Sequence, residues 1–560
     1  MISVMDFQMR SVFKIICTLV DSLSAVVNIS YEKEEVKSAF LQIFPCTMIS
    51  NLSFKKILPA VSLLLMSAIF SMGQDKTITI NIDLLKTHQT INNFGASDAW
   101  SCQFIGNWPD EKRNKIADLL FSRDTLANGS PKGIALSLWR FNIGAGSTEQ
   151  AAQSGIKDEW RRAESFLNTD DSYNWQKQTG QIWFLKAAKQ RGVKEFLGFN
   201  NSPLVQFTVN GKAYASGGKT NITADKYNAF AAYLADVVKG VERLSKVRFN
   251  YISPVNEPQW GWSDGGQEGC PYTNNEIAGL VRSINTAFVK GHIKSQILVA
   301  EAGSINYLLA SSEKSGKGNQ VNDFFKPGSP NYIGDLQNVS KTIAAHSYFT
   351  TSPIAAALKI RNALAESIAT IPGLSFWQSE YCILGDNAGE INGDKRDLGI
   401  NAALYLAKVI HTDLTAANAS AWQWWTAISA YDYKDGLIYV DKNKTDGNYY
   451  ASKMLWAMGN YSRFIRPGAI RVDAGASGQD LKSPLLVSAF KNGKELTCVI
   501  INNSADDAFI HLNIGNGNVG FIRAYTTSQT ADLEPGKITT VKNSILIPGR
   551  SITTLMGVIE

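Results

Sequence analysis

The sequence predicts an α/β protein, a (β/α)8 barrel with an all-β sandwich domain appended at its C-terminal end. Three observations carry that prediction. Between about residues 90 and 430, short apolar, β-rich runs alternate with stretches whose apolar residues recur at helical spacing, the pattern of parallel β/α units. Eight such runs follow one another in a single series, which favours a closed ring, the TIM barrel, over an open sheet. From about residue 460 onward the helical period stops and short alternating runs replace it.

At the N-terminus, Lys55 and Lys56 precede the apolar run 57–70 (ILPAVSLLLMSAIF), and Ser71 and Gly73 then flank Met72. A basic segment, an apolar segment and a small-x-small site in that order predict a signal peptide cleaved near Gly73. The run is too short for a comfortable membrane crossing, so no stable span is expected in the mature chain. A leader starting at Met48 has ordinary length, and residues 1–47 then lie upstream of the true start. The alternative is a cytoplasmic extension ahead of an uncleaved anchor. Residues 1–73 are read as extension and signal peptide, and export to the periplasm or out of the cell is the expectation.

The segment 77–90 begins with TITINID, whose alternation matches the C-terminal runs, and is expected to join the sandwich. Residues 91–458 are assigned to the barrel. Its expected strands are 91–100, 134–144, 194–203, 248–258, 296–303, 342–349, 374–382 and 419–428. Helical stretches such as 225–244, 273–291 and 397–416 lie between them, with Asp225 and Thr273 as helix starts. Residues 459–560 form the sandwich, in which Lys491-Asn492-Gly493-Lys494 reads as a hairpin turn with Asn-Gly at its centre.

Composition narrows the function. Hydrophobic residues make up 44% of the chain and charged residues 19%, as in a globular protein with a large core. The formal charge of +6 is scattered, with no basic block to track phosphates, so nucleic acid is not an expected partner. Thirteen tryptophans are present, some clustered: Trp260 with Trp262, then Trp422, Trp424 and Trp425. Flat rings stack on the apolar faces of sugars as readily as they fill cores. Cys102, Cys270, Cys382 and Cys498 follow the cleavage site and form no metal pattern. Export permits a disulfide among them, and free buried thiols fit equally.

In such a barrel the active site lies where the strands end. The expected ends carry Asp98 and Trp100, Arg140 and Asn142, Asn200 and Asn201, Asn256 and Glu257, Glu301, His346 and Tyr348, Glu380, and Trp424 and Trp425. No metal-binding cage, phosphate loop or serine elbow competes with them. Glu149, Glu268 and His292 lie away from strand ends and read as solvated or loop positions. The fourth and seventh strands face each other across the mouth and end in Glu257 and Glu380. Two carboxyl groups across one bond are what glycoside hydrolysis needs: one protonates the leaving oxygen, and in a retaining enzyme the other attacks from about 5 to 5.5 Å away. A carbohydrate-binding protein on a decayed barrel is the non-catalytic alternative, and the intact pair of acids argues against it.

Two segments then carry a resemblance. SPVNEPQW (253–260) and WQSEYC (377–382) resemble the paired signatures of clan A glycoside hydrolases. NFGASDAW (93–100), LWRFNIGAGS (138–147), FNNSP (199–203) and HSYF (346–349), with the appended β domain, are similar to glycoside hydrolase family 30, over roughly residues 77–560. NEPQWGWSDGGQEGC (256–270) looks most like that family's endo-β-1,6-galactanase branch. Leu204 follows the single proline of FNNSP, a departure from the Ser-Pro-Pro form of many members that weakens the glucosylceramidase branch. The resemblance implies a secreted, retaining β-glycoside hydrolase with Glu257 as acid/base and Glu380 as nucleophile. β-1,6-Glucan, xylan or a glucosylated lipid are the alternative substrates.

Chemistry distributes the remaining roles. Arg140 is placed to keep Glu380 ionised, since a guanidinium favours the charged carboxylate. Asn256 resembles the clan's asparagine on the 2-hydroxyl of the reacting sugar. Tyr348 or His346 is expected to hydrogen-bond the nucleophile. Asp98, Trp100 and Asn201 are expected to contact substrate, the first two on its non-reducing side. Trp425 is expected to floor the reacting subsite with Trp424 pointing away. Trp260 and Trp262 are expected along the leaving group, and Glu301 is read as partner to a basic group, outside the catalysis. The chemistry requires no metal and no organic cofactor.

Overall fold

The computed structural model describes residues 77–310, 313–476, 485–541 and 544–560. The expected signal peptide lies outside them, and none of the described helices is long and apolar enough to cross a membrane. Residues Thr77–Glu560 form one compact unit.

Eight parallel strands close into a barrel: β1 (Asn93–Ser97), β2 (Leu138–Asn142), β3 (Glu195–Phe199), β4 (Tyr251–Ser253), β5 (Gln296–Ala302), β6 (Val339–His346), β7 (Ser375–Glu380) and β8 (Ala421–Trp424). β1 pairs in parallel with both β2 and β8, which seals the ring. The strands are buried almost throughout because helices cover one face and neighbouring side chains fill the interior. That is why they read as apolar runs rather than as clean alternations. Each expected strand coincides with an observed one, but β4 stops at Ser253. Asn256 and Glu257 therefore stand on the loop beyond it, with Glu257 held at φ +45°.

The helices start where local hydrogen bonding allows. Thr273 caps Asn274–Lys290 in a capping box, its side chain receiving the Glu276 N–H while the Glu276 side chain accepts the Thr273 N–H. Asp225 instead sits in a short 3-10 turn, Ala224–Lys226, and the α-helix proper runs Tyr227–Ser245.

The C-terminal strands form one hydrogen-bonded, ten-stranded sheet, antiparallel except for a single parallel pair. That exception is the leading strand, Ile78–Thr90, which pairs antiparallel with Ile470–Ala476 and parallel with Ala508–Gly515. Ile82, Val472, Leu485, Cys498, Ile510 and Leu555, from strands across the sheet, share one buried core. A flat sheet could not enclose it, so the sheet curls over it. Other sheet residues, among them Val499, Ile501 and Ile552, belong to the barrel's own core. The helix Lys453–Ser462 makes the junction: the Asn460 side-chain amide donates to Tyr525 O, Ile552 O and Thr554 Oγ1. In the hairpin the last paired residues are Asn492 and Glu495, so the turn is Gly493-Lys494, one residue later than expected. Gly493 supplies the left-handed φ of +59° at the first loop position, where a two-residue turn with one such residue takes glycine.

Candidate active site

Five charged or ionisable side chains meet at the C-terminal mouth of the barrel. Register sets them: His346 ends β6 and lies opposite Glu380, which ends β7, while Arg140 on β2 lies opposite Ser97 on β1. Arg140 Nη1 donates to Glu380 Oε2, and Arg140 Nη2 donates to Asn256 Oδ1 at 3.1 Å and approaches Glu301 Oε2 at 3.5 Å. The Tyr348 hydroxyl donates to the other oxygen of Glu380 at 3.2 Å. His346 Nδ1 lies 2.9 Å from Glu257 Oε1 and its Nε2 3.1 Å from Glu301 Oε2. One ligand atom each from Glu257, His346 and Glu380 falls within 4.8 Å of the others. Of the two expected partners of Glu380, Tyr348 makes the hydrogen bond, while His346 bonds Glu257 and pairs with Glu380 Oε1 from 3.6 Å.

Glu301 is fully buried and more central than the sequence suggested. Ser253 Oγ donates to it at 2.6 Å and Ser379 Oγ at 2.5 Å, in addition to Arg140 and His346. Burial works against its charge, yet Arg140 and His346 hold its carboxyl down at about 2. His346 is buried too, and the carboxylates around it outweigh burial, Glu380 foremost, lifting it to about 9. It is therefore an imidazolium donating from both nitrogens. Glu257 moves opposite to Glu301: burial, with the charge of Glu380 added, raises it despite the hydrogen bond from His346. The sequence signal for Glu301 was its place in β5, but nothing there revealed how many donors would converge on it.

Other expected residues are distributed around this cluster. Trp425 stands edge-on to Trp100, with ring centroids 5.1 Å apart, and near Phe199 at 6.2 Å. Trp424 turns away, donating its indole N–H to Asp435 O and stacking on Trp422. The Arg161 guanidinium lies over the Trp100 ring at 4.8 Å. Asn201 is buried beside β3, and neither atom of its side-chain amide has a hydrogen-bond partner among the described residues. Asp98 is buried against β2, where its Oδ1 accepts the Asn142 N–H at 2.8 Å, and burial pushes its carboxyl up to about 7. Trp262 braces the backbone behind the acid, its indole N–H donating to Glu257 O at 3.0 Å.

Glu268 corrects the sequence reading. It is not solvated: it is buried, accepting N–H groups of Ala145 and Ser147 and the Ser147 hydroxyl, which ties the loop after β4 to the loop after β2. The four described cysteines are buried free thiols. Among the described residues Glu257, His346 and Glu380 form the one acid and histidine group tight enough to suit a metal ion. A cation, the Arg140 guanidinium, already bonds Glu380 there.

The model of O-glycosyl hydrolase family 30 matches residues 77–439. The chain belongs to that family. Among curated family relatives it is 26% identical over 429 residues to an endo-β-1,6-galactanase of Hypocrea rufa, covering 74% of this chain and 79% of that protein. It is 25% identical over 397 residues to a glucuronoxylanase of Bacillus subtilis strain 168, covering 68% of this chain and 78% of that one. Among solved structures, a conserved exported protein from Bacteroides fragilis is 35% identical with a TM-score of 0.80, covering 85% of this chain and all of that one.

Proposed function

We propose that this chain is an exported, retaining β-glycoside hydrolase, an endo-β-1,6-galactanase that cuts plant-type galactan side chains by double displacement. One observation carries the mechanistic reading: carboxyl oxygens of Glu257 and Glu380 come within 4.8 Å. Retaining enzymes space the two groups at about 5 to 5.5 Å, whereas inverting enzymes leave about 6.5 to 9.5 Å for a water.

The charges of the cluster describe the reaction. Arg140 and His346 are positive, and Glu301 and an attacking Glu380 are negative. The buried group is then neutral only while Glu257 holds its proton. Glu380 attacks the anomeric carbon and becomes a neutral ester, so neutrality now asks Glu257 to release its proton, which goes to the leaving oxygen. Water then enters, Glu257 takes a proton from it, and the water oxygen bonds the anomeric carbon as the ester bond to Glu380 breaks. Glu301 keeps the imidazolium charged, and the imidazolium holds Glu257 in place. Asn256 accepts from Arg140 through Oδ1, which leaves its amide N–H for a sugar hydroxyl. Asp98, Trp100, Asn201 and Trp425 face the glycone side, and Trp260 the leaving group.

The 26% identity to a galactanase and the segment 256–270 favour β-1,6-galactan. The 25% identity to a glucuronoxylanase supports xylan as the second reading. The test incubates purified protein with β-1,6-galactan, β-1,6-glucan and glucuronoxylan and counts reducing ends. Release from galactan alone is expected; release from xylan alone would move the assignment, and retention on one polymer without release from any would leave a binding protein.

A further inference from the structure

Beside the catalytic cluster stands an aromatic side chain that the mechanism does not use. Phe349 follows Tyr348 on the loop after β6 and is 63% exposed. Its backbone sits at φ +60°, in the left-handed region, where a bulky side chain is strained unless the surroundings impose it. The ring stands 6.1 Å from Trp260 at an interplanar angle of 88°, so the two form a corner. The Tyr348 ring lies 6.3 Å away. Trp260 is fixed in turn: its backbone N–H donates to Glu257 O at 3.2 Å, and its ring meets Tyr307 edge-on at 5.8 Å. Phe349 is thus one ring removed from Glu257 through Trp260, and one ring removed from Glu380 through Tyr348.

We propose that Phe349 and Trp260 wall the subsite for the first sugar of the leaving group, Phe349 stacking on the apolar face of a neutral hexose. The inference rests on the hydrolase reading above. The leaving oxygen has to reach Glu257 for its proton, so the sugar that bears it lies on the Glu257 side of the mouth. The loops after β4 and β6 carry Trp260 and Phe349 to that side. Sugar rings present C–H faces to aromatic rings, and burying an exposed phenyl face is favourable. A built subsite beyond the cut favours substrates that continue past it, which is the behaviour of an enzyme cutting within chains.

The test uses two substrates with galactobiosyl glycones, β-1,6-galactotetraose and β-1,6-galactobiosyl fluoride, the second having no sugar to leave. In Phe349→Ala the ratio of kcat/KM for the tetraose to that for the fluoride should fall about tenfold from the wild-type value. Phe349→Trp should restore it. An unchanged ratio in a variant that melts like wild type overturns the subsite. A wild type that hydrolyses neither compound overturns the galactanase reading and this subsite with it, so the two failures are told apart by the wild-type assay.

Discussion

Glu257 and Glu380 are separable by leaving group. Glu257→Gln should cost about 10²–10⁴ in kcat/KM on a sugar leaving group, which needs the proton, and much less in kcat/KM on a fluoride, which does not. Glu380→Gln should abolish turnover of both while substrate binding persists. Azide should restore Glu380→Gly and release product of the opposite anomeric configuration; product of unchanged configuration would remove Glu380 as nucleophile. His346 gives a pH prediction. Its folded value is raised from 6.5 to about 9, so its contribution to stability is complete below about pH 6.5 and is lost as pH rises through about 9. Glu301, held at about 2, contributes in full above about pH 4.5 and loses its contribution as pH falls toward 2. Thermal melts from pH 6 to 10 should show a loss on the order of 3 kcal/mol in wild type that is absent from His346→Gln. A parallel decline in that variant would assign the loss to other groups. At this scale the sequence was legible where chemistry sits at a strand end. It gave Glu301 a basic partner but not its full set of donors, and misread Glu268 as solvated, because the donors around each come from several segments distant in sequence.

The elements were legible because both faces of a barrel strand are covered, which leaves an apolar run that polar residues interrupt only at the mouth. Boundaries were less so. β4 ends before Glu257 since the loop beyond it is held by local bonds, Trp260 N–H and Trp262 Nε1–H both donating to Glu257 O. The hairpin slipped by one because Asn-Gly and Gly-Lys both supply a residue able to take a positive φ, and only strand pairing decides between them. The same loops yield a prediction about close approach. Trp260 packs on Gly303, where an added Cβ would come 2.4 Å from its Nε1. Gly303→Ala should therefore displace the indole and raise KM for long substrates several-fold, with little change in melting temperature. Wild-type KM in that variant would mean that Trp260 does not face the substrate.

At the scale of the molecule, the two ends of the described chain are held in one sheet, and this makes the leading strand a structural requirement. Ile78–Thr90 lies between Ile470–Ala476 and Ala508–Gly515, so deleting it divides the ten-stranded sheet and leaves two new open edges. It also removes Ile80, Ile82 and Leu84 from the sheet's core, where each is at most 4% exposed. Burial of such side chains is worth about 1.5–3 kcal/mol each, so the loss approaches the whole net stability of a domain, about 5–15 kcal/mol. The damage should not stay in the sheet, because Val499, Ile501 and Ile552 share the barrel's core and Asn460 bonds the strands directly. A chain lacking residues 77–90 should be recovered mostly as aggregate and without activity, although every proposed catalytic residue is retained. A soluble, active deletion variant melting at the wild-type temperature would show that the barrel stands without the sheet.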